Sequence, residues 1–346
     1  MKFEILYNLL KTEPAYRQKQ VGHLLFKDLI EDWSEATILP KSLREKLNQE
    51  CPIEIKNEMV KSLDKKSVKA LIILEDGLKI ETVLMRHKDG RNTACLSTQV
   101  GCPMQCGFCA TGLMGFSRNL TKEELIEQAL FWARYLKTKT NSRLTNVVYM
   151  GMGEPFLNYQ NVISSIKTIN DKDGLEIGAR HISISTCGLT DGIRKLMKEN
   201  IQVNLAISLH APNNKLREKL MPVSKKYPLP RLMEAVDEYI EKTKRRVMFE
   251  YILIKNVNDA PAQARELAEL MQRPLCFVNL IAYNETGKFE PSDQERILEF
   301  KKILERAGVS VVERFRFGGE IDAACGQLAA KSHPDQPVHK AWRGKK

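Results

Sequence analysis

The chain has 346 residues, 43% of them hydrophobic, so it can bury a full core as one large domain with an appendage or as two domains. No stretch approaches the roughly 20 apolar residues of a membrane span, and the start of the chain lacks the apolar region of a secretion signal. In a chain without an export signal, eight cysteines indicate a reducing compartment. We therefore expect a cytoplasmic protein without a membrane partner. The net charge of +11, from 54 Lys and Arg against 43 Asp and Glu, favours a polyanionic partner such as nucleic acid.

Residues 1–66 are predicted to form a small helical accessory domain. Pro14, Pro40 and Pro52 separate its amphipathic runs, which are Phe3–Leu10, Tyr16–Ile30 and Lys41–Gln49. Residues 67–93 are predicted to form a β-hairpin extension, because Asp76-Gly77 lies between the apolar runs Val68–Leu74 and Leu78–Met85.

Residues 94–330 repeat a strand followed by a helix, six or seven times. The β-rich runs are Thr145–Met150, His181–Thr186, Gln202–Leu209, Arg246–Ile254, Leu275–Tyr283 and Val309–Arg316, and the helical patterns are Lys122–Leu136, Asn161–Thr168, Asp191–Lys198, Leu229–Lys242, Ala260–Met271 and Asp293–Ala307. Apolar strands in this order indicate a parallel α/β sheet, either a partial (β/α)6 barrel or an open doubly wound sheet. Polar residues fall at the carboxyl ends of successive strands, around one mouth, which favours the partial barrel. Residues 331–346 are a basic tail.

The most informative motif is Cys102-Pro-Met-Gln-Cys106-Gly-Phe-Cys109, with CxxxCxxC spacing. Three thiolates on one loop can hold three irons of a [4Fe–4S] cluster and leave the fourth iron open to a small chelating molecule. A structural zinc site normally uses four ligands, and no second pair of closely spaced cysteines occurs in the chain. The motif therefore favours a redox cluster over zinc or unrelated cysteines.

Small polar groups follow several strands of the predicted sheet. They occur in Gly151-Met-Gly153-Glu154-Pro155, Ser183-Ile-Ser185-Thr186, Ser208-Leu209-His210 and Tyr283-Asn284. Each group taken singly is more often satisfied loop polarity. Their recurrence on one rim favours a ligand with a ribose and an adenine, with glycines that allow the backbone to approach it closely.

The cysteine motif and the Gly-Met-Gly-Glu-Pro sequence resemble the radical S-adenosylmethionine superfamily. Within it, four segments closely resemble the RlmN/Cfr family of ribosomal-RNA adenosine methyltransferases: Cys102–Leu120, Gly151–Asn158, Ser208–Pro212 and Glu320–Leu328. The resemblance runs from about Glu81 to Ala330, and residues 1–66 would then be an RNA-binding accessory domain.

The resemblance implies roles for individual residues. Cys102, Cys106 and Cys109 would hold the cluster, and the cofactor S-adenosylmethionine would be bound by Gly153, Glu154, Ser185, Ser208, Leu209, His210 and Asn284, with Glu154 on its ammonium group. Cys325 matches the cysteine that carries the methyl group, Cys95 the one that resolves the RNA adduct, and Glu81 the proton acceptor. Without the resemblance, Cys325 would be interpreted as a buried thiol and Glu81 as an exposed strand charge. Cys51, Cys187 and Cys276 have no implied role and are expected to pack in the core.

Carbon 2 of adenine is electron-poor and carries no lone pair, so it cannot attack a sulfonium methyl. In the chemistry that the resemblance implies, one S-adenosylmethionine methylates the Cys325 thiolate by displacement. A second one accepts an electron and yields a deoxyadenosyl radical, which takes a hydrogen from the Cys325 methyl, and the carbon radical adds to the ring. Loss of the ring proton and attack of Cys95 on the Cys325 sulfur would then release the methylated base and leave a disulfide.

Several alternatives stay open at this stage. Within the family, methylation at C8 competes with methylation at C2; Pro155 after Glu154 matches the C2 branch, whereas Arg314–Gly318 is more reminiscent of the C8 branch. Outside the family, a non-catalytic iron–sulfur or zinc RNA-binding protein would explain the cysteine triplet and the positive charge, but it would not explain Cys95 and Cys325. A further alternative is another radical S-adenosylmethionine enzyme with a small-molecule substrate, which would bind no RNA. The expected partners are 23S rRNA, a tRNA adenosine as a further candidate substrate, and an electron donor such as flavodoxin or ferredoxin, with a monomer as the default.

Overall fold

The computed structural model of the protein describes residues 3–313 and 318–329. The helices are α1 (Phe3–Lys11), α2 (Ala15–Phe26), α3 (Lys41–Glu50), α4 (Ala110–Leu113), α5 (Lys122–Thr140), α6 (Tyr159–Asn170), α7 (Thr190–Leu196), α8 (Asn214–Leu220), α9 (Leu229–Thr243), α10 (Pro261–Leu270) and α11 (Gln294–Arg306). The strands are β1 (Asn57–Lys61), β2 (Ser67–Ile73), β3 (Lys79–Arg86), β4 (Asn92–Cys95), β5 (Gln99–Gly101), β6 (Phe116–Asn119), β7 (Asn146–Tyr149), β8 (Ile182–Thr186), β9 (Asn204–Ser208), β10 (Val247–Leu253), β11 (Cys276–Ala282) and β12 (Val311–Glu313).

The first three helices bury a hydrophobic cluster of their own around Trp33, whose indole N–H donates to the Cys51 carbonyl at 2.7 Å. Pro14 and Pro40 occupy the N-cap positions of α2 and α3. Their missing N–H groups break no hydrogen bond there, because a helix uses no N–H at its start. Ile126 and Leu130 of α5 complete the cluster, so the helical region docks on the main body through that helix.

The hairpin predicted after the helices is confirmed. Strands β2 and β3 pair antiparallel with Leu71 opposite Glu81, and the Asp76 carboxylate accepts the Leu78 N–H at 3.0 Å in the turn. The prediction of a purely helical region up to residue 66 is wrong at one point, because residues 57–61 form β1 on the edge of β2. All five residues of β1 are exposed, so the strand lacks the apolar alternation that marks a strand in a sequence.

The predicted partial parallel (β/α)6 barrel is confirmed. The main sheet has the order β1-β2-β3-β4-β7-β8-β9-β10-β11-β12, and its strands from β4 onward pair parallel, each beside the next in the chain. A doubly wound sheet would reverse its strand order at a switch point, and this sheet does not. Six strands of the main sheet, β4 and β7 to β11, are each followed by a helix before the next strand of that sheet, and β12 closes the series.

A separate two-stranded sheet, β5 paired with β6, frames the cysteine motif. Gly101 ends β5 at φ +74°, and a Cβ there would lie 2.0 Å from the Gly115 carbonyl oxygen. Only glycine allows this approach, which fixes the point from which Cys102 enters the loop.

Residues 314–317, which carry most of the C8-like segment, and the basic tail 331–346 lie outside the described residues. The domain boundaries at residues 66, 93 and 330 stay predictions. In the described ranges, no helix has the length and apolar character needed to cross a membrane.

Candidate active site

The carboxyl ends of the parallel strands surround a pocket at the mouth of the barrel. Its lining includes every candidate site residue except Leu209 and Glu81, namely Cys95, Cys102, Cys106, Cys109, Gly153, Glu154, Ser185, Ser208, His210, Asn284 and Cys325. These residues lie up to 230 positions apart in the chain, and the fold brings them to one pocket.

The cysteine loop runs from β5 to α4 along one wall of the pocket. The Cys109 N–H donates to the Cys106 carbonyl at 3.1 Å, and the Gly107 N–H donates to the Leu220 carbonyl at 2.8 Å, so the loop is tied to itself and to the end of α8. Burial raises the pKa of Cys102 and of Cys109. Iron would reverse this preference, because a metal ion stabilises the thiolate that it binds.

The three cysteines of the loop line one wall of the same pocket. Within residues 3–313 and 318–329, no three His, Cys, Asp or Glu side chains converge closely enough to hold a single metal ion. A tetrahedral zinc site needs its sulfurs within roughly 2.3 Å of one point, whereas the corners of an iron–sulfur cube lie further apart. Three thiols of a CxxxCxxC loop that line one pocket are a donor set that suits an iron–sulfur cluster.

Glu154 is held rigidly at the end of β7. Its backbone N–H donates to the Gln99 side chain at 2.8 Å, and its carboxylate accepts the N–H groups of Phe156 at 3.1 Å and Cys187 at 2.7 Å. A Cβ at Gly153, whose φ is +100°, would lie 2.6 Å from Gln99, so this turn requires glycine. Burial raises the pKa of Glu154 although these hydrogen bonds oppose the shift, so a bound cation would stabilise the ionised carboxylate.

The polar ends of β8 and β9 lie side by side. The hydroxyl oxygens of Ser185 and Ser208 are 3.4 Å apart, and His210 adopts the left-handed conformation at φ 57° immediately after β9. His210 Nδ1 accepts the Ile252 N–H at 3.1 Å, so the neutral ring carries its proton on Nε2. Leu209 is fully buried and its backbone bonds to Glu250 and Arg217, so it orients its two neighbours rather than facing the pocket.

Cys325 lies on a segment, residues 318–329, that is docked against the cysteine loop. The Ala110 N–H donates to the Gly326 carbonyl at 2.7 Å, and the Thr111 hydroxyl donates to the Leu328 carbonyl at 2.6 Å. Asn284 donates from Nδ2 to the Cys325 carbonyl at 3.2 Å, and its Oδ1 is buried without a hydrogen-bond partner among the described residues. A buried acceptor of this kind is costly unless a ligand satisfies it, so Asn284 fits the edge of a bound cofactor.

Cys95 ends β4 inside the same pocket, whereas Glu81 lies just outside it. Cys95 pairs with Val83 of β3, and its carbonyl accepts the Thr82 hydroxyl at 2.7 Å. Glu81 is only 4% exposed, so the expectation of a solvated strand charge from its sequence alone is wrong. Its carboxylate bonds to the Lys69 ammonium at 3.0 Å and accepts the Ala329 N–H at 2.7 Å.

Sequence reasoning missed three polar residues around the pocket. Cys187, expected in the core, lines the pocket, and a hydrogen bond to the Cys106 thiol together with burial raises its pKa. Glu250 also lines the pocket, and one carboxylate oxygen accepts Asn279 Nδ2 at 2.8 Å. Fully buried Arg217 donates to the carbonyls of Cys187 at 2.7 Å and Ser208 at 3.3 Å. A charge inside the apolar strand Val247–Leu253 was a usable signal for Glu250, but nothing in the α8 sequence distinguished Arg217 from a surface arginine.

The partial barrel with three cysteines at its mouth is the architecture of the radical S-adenosylmethionine class. The sequence model of the Radical SAM superfamily matches residues 96–268. The crystal structure of a radical SAM methyltransferase from Sphaerobacter thermophilus superposes with a TM-score of 0.90 at 42% identity, over 94% of this chain and 97% of that one.

Two curated relatives are each named probable dual-specificity RNA methyltransferase RlmN. The one from Dictyoglomus thermophilum is 48% identical over 320 residues, which is 92% of this chain and 91% of the relative. The one from Carboxydothermus hydrogenoformans is 48% identical over 324 residues, 92% of this chain and 93% of the relative. The chain belongs to the RlmN family of radical S-adenosylmethionine methyltransferases. Family membership implies S-adenosylmethionine and an iron–sulfur cluster as its cofactors.

Proposed function

We propose that this protein methylates carbon 2 of an adenosine in 23S rRNA through a methylated Cys325, with two S-adenosylmethionine molecules consumed per turnover. The names of the curated relatives support an RNA substrate, and their dual specificity supports a tRNA adenosine as a second one. Pro155, directly after Glu154, resembles the C2 branch of the family and supports carbon 2 over carbon 8.

In this proposal Cys102, Cys106 and Cys109 hold a [4Fe–4S] cluster. When bound, the cluster supplies the single electron that splits S-adenosylmethionine. Glu154 binds the cofactor's ammonium group, because its carboxylate is buried and is fixed by two backbone N–H groups. Asn284 Oδ1 accepts from the cofactor, and Gly153, Ser185, Ser208 and His210 complete its binding site.

Three residues act on the methyl group and the RNA base. Cys325 carries the methyl group into the pocket, on a segment whose carbonyls are held by Ala110, Thr111 and Asn284. Glu81 accepts the ring proton. Cys95, on the wall formed by β4, attacks the Cys325 sulfur as a thiolate, so that the S–S bond forms while the C–S bond breaks, and its electron pair passes to the methylene carbon, which takes up a proton to become the methyl group. The one electron that the ring adduct must lose would return to the cluster.

One observation carries the proposal: Cys95 and Cys325, which both lie outside the metal-binding motif, line the same pocket as that motif. A non-catalytic iron–sulfur protein would have no use for two further thiols beside its cluster. An exchange between two thiols and a transferred carbon needs both sulfurs within reach of one base.

The decisive experiment is anaerobic reconstitution of the cluster followed by turnover on unmodified 23S rRNA, with mass spectrometry to locate the methyl group. We expect methylation at C2, complete loss of turnover in Cys325→Ala, and a covalent protein–RNA adduct in Cys95→Ala that survives denaturing electrophoresis. A half-buried cysteine of β11 outside the pocket provides the matched control, and Cys276→Ala should turn over at the wild-type rate.

Three results would contradict the proposal. Methylation at C8 alone would place the enzyme in the other branch. Full turnover by Cys325→Ala would remove the methylcysteine route. RNA binding that is unchanged by every cysteine substitution, with no methyl transfer in the wild type, would favour a binding protein. The proposed electron donor is a small redox protein of the flavodoxin or ferredoxin kind.

A further inference from the structure

A buried ion pair joins the β2–β3 hairpin to the segment that carries Cys325. The Lys69 ammonium lies 3.0 Å from one carboxylate oxygen of Glu81, and the two side chains are 12% and 5% exposed. Lys69 and Glu81 come from opposite strands of the hairpin and reach each other across it. No role in the proposed reaction has been given to Lys69.

Both partners of the pair also bond to the Cys325 segment, one toward each of its ends. Lys69 donates to the Asp322 carbonyl at 3.3 Å, three residues before Cys325. Glu81 accepts the Ala329 N–H at 2.7 Å with its second oxygen, four residues after Cys325. Residues 322–329 are therefore spanned by a single ion pair, and the three polar contacts of Lys69 and Glu81 form one connected network.

Steric contacts place the same segment against the same hairpin. Gly318 is left-handed at φ 62°, and a Cβ there would lie 2.8 Å from Ala323 and 3.2 Å from Ser67, the first residue of β2. The segment thus folds back over the start of the strand that carries Lys69, and little space separates the two.

The strength of this network depends on charge. Hydrogen bonds to an ionised donor or acceptor are about twice as strong as neutral ones, and the effect grows where water is excluded. A neutral Glu81 would keep an acceptor oxygen for Ala329 but lose its attraction to Lys69, and a neutral side chain at 69 would leave a buried carboxylate without its cation.

We propose that Lys69 is a positioning residue that, together with ionised Glu81, clamps residues 322–329 so that Cys325 stays at the pocket, and that uptake of a proton by Glu81 loosens the clamp. The inference rests on the proposed function, in which Cys325 meets the cofactor and then the RNA base, and Glu81 receives the ring proton. The proton that marks the end of the ring chemistry would then free the segment to move.

The clamp can be measured in the cluster-bearing enzyme without S-adenosylmethionine and without RNA, so a failure of the proposed methyl transfer does not affect the test. Two readouts report on the segment: hydrogen exchange of peptides that cover residues 322–329, and the rate at which iodoacetamide alkylates Cys325, followed by peptide mass spectrometry. We expect Lys69→Met to raise both by about tenfold, because one charge-assisted contact is lost and local opening becomes more frequent.

Matched variants separate charge from packing. Methionine has nearly the length of lysine, so a packing role would survive Lys69→Met, whereas Lys69→Arg restores the charge and should return both readouts toward the wild type. Glu81→Gln imitates the protonated carboxyl and should open the segment as Lys69→Met does. Lys66→Met removes a partly exposed ion pair with Asp64 in the turn between β1 and β2 and should change neither readout.

Alkylation of Cys276, outside the pocket, and exchange in β7–β11 monitor the rest of the fold. If Lys69→Met loses protection from hydrogen exchange throughout those strands, the variant is destabilised as a whole. The Glu81→Gln protein, which keeps the size of the side chain, then tests whether the charge of the pair holds residues 322–329. Wild-type exchange and wild-type alkylation of Cys325 in Glu81→Gln would overturn the proposal, as would the same result in a folded Lys69→Met protein.

Discussion

At the scale of single residues, burial decides which side chains around the pocket carry charge. His210 is the clearest case, because burial, reinforced by the positive charge of Arg217, lowers its pKa to about 3. Its ring packs edge-on against Phe108 with the centroids 4.8 Å apart, which leaves no room for hydration of an imidazolium. The site therefore uses a neutral histidine as a fixed hydrogen-bonding group.

This neutral histidine makes folding depend on pH. The folded protein binds the His210 proton only near pH 3, whereas the unfolded chain binds it near its ordinary value of 6.5. Between these values the unfolded state holds more protons, so this contribution to stability is fully present above pH 6.5 and is lost as the pH falls toward 3. In His210→Asn we expect the loss to disappear, because asparagine tolerates the left-handed backbone, can accept the Ile252 N–H and does not titrate.

The measurement is urea unfolding of both proteins at a series of pH values between 7 and 4. The stability of the wild type relative to the variant should fall by up to about 1.4 kcal/mol per pH unit below 6.5. Parallel curves would mean that His210 is protonated in the folded protein as readily as in the unfolded chain.

At the scale of elements, close packing of short helices holds the loop that carries Glu154. Gly192 of α7 lies under Phe156, in the 3-10 turn that follows Glu154, and a Cβ at this position would meet the Phe156 ring at 2.4 Å. The Phe156 N–H in turn bonds to the Glu154 carboxylate. A displacement of α7 would therefore move the Phe156 ring and, with it, the Glu154 carboxylate of the proposed cofactor site.

We expect Gly192→Ala to destabilise the protein by about 1–3 kcal/mol and to weaken S-adenosylmethionine binding, because overpacking moves Phe156 and loosens its bond to Glu154. Gly22 provides the control: it lies inside α2 with nothing within 4 Å of a Cβ, so Gly22→Ala should stabilise the protein by roughly 0.5–1 kcal/mol and leave binding unchanged. Denaturant unfolding and calorimetric titration check both variants. An equal effect of the two alanines on cofactor affinity would show that α7 does not position the Glu154 loop.

At the scale of the whole molecule, the surplus of positive charge is the property most relevant to an RNA partner. The net charge of +11 is counted over the entire chain and includes the basic residues of the tail. Neutralised phosphates release counterions, so binding that depends on these charges weakens as salt rises.

If RNA is the substrate, its affinity for the protein should fall by about tenfold or more between about 50 and 200 mM salt, as a few phosphate contacts already predict. The affinity for S-adenosylmethionine, for which we propose the pocket at the mouth of the barrel, should change much less. Filter binding with an unmodified rRNA fragment and calorimetry with the cofactor provide the comparison. RNA affinity that is absent or insensitive to salt would favour a small-molecule substrate.

The sequence by itself determined the periodic parts of this protein. Strands β7 to β11 and the helices α6, α7, α9 and α10 begin and end within a few residues of their predicted limits, because the strands are rich in β-branched apolar residues and each helix buries an apolar stripe. Helix α8 was not predicted. The cysteine spacing indicated a metal cluster, and the polar groups at strand ends indicated a ligand, because parallel strands bring their carboxyl ends to one edge.

Only the tertiary structure decided which charges are buried and what they bond to. Glu81 and Arg217 look like surface residues in the sequence, and β1 shows no strand pattern, because pairing and burial depend on neighbours that are distant in the chain. The bonds from Lys69 to Asp322 and from Glu81 to Ala329 each join residues about 250 positions apart. Sequence periodicity indicates which face of its own helix or strand a residue occupies. Contacts between residues about 250 positions apart form only when the whole sheet has formed, so periodicity does not predict them.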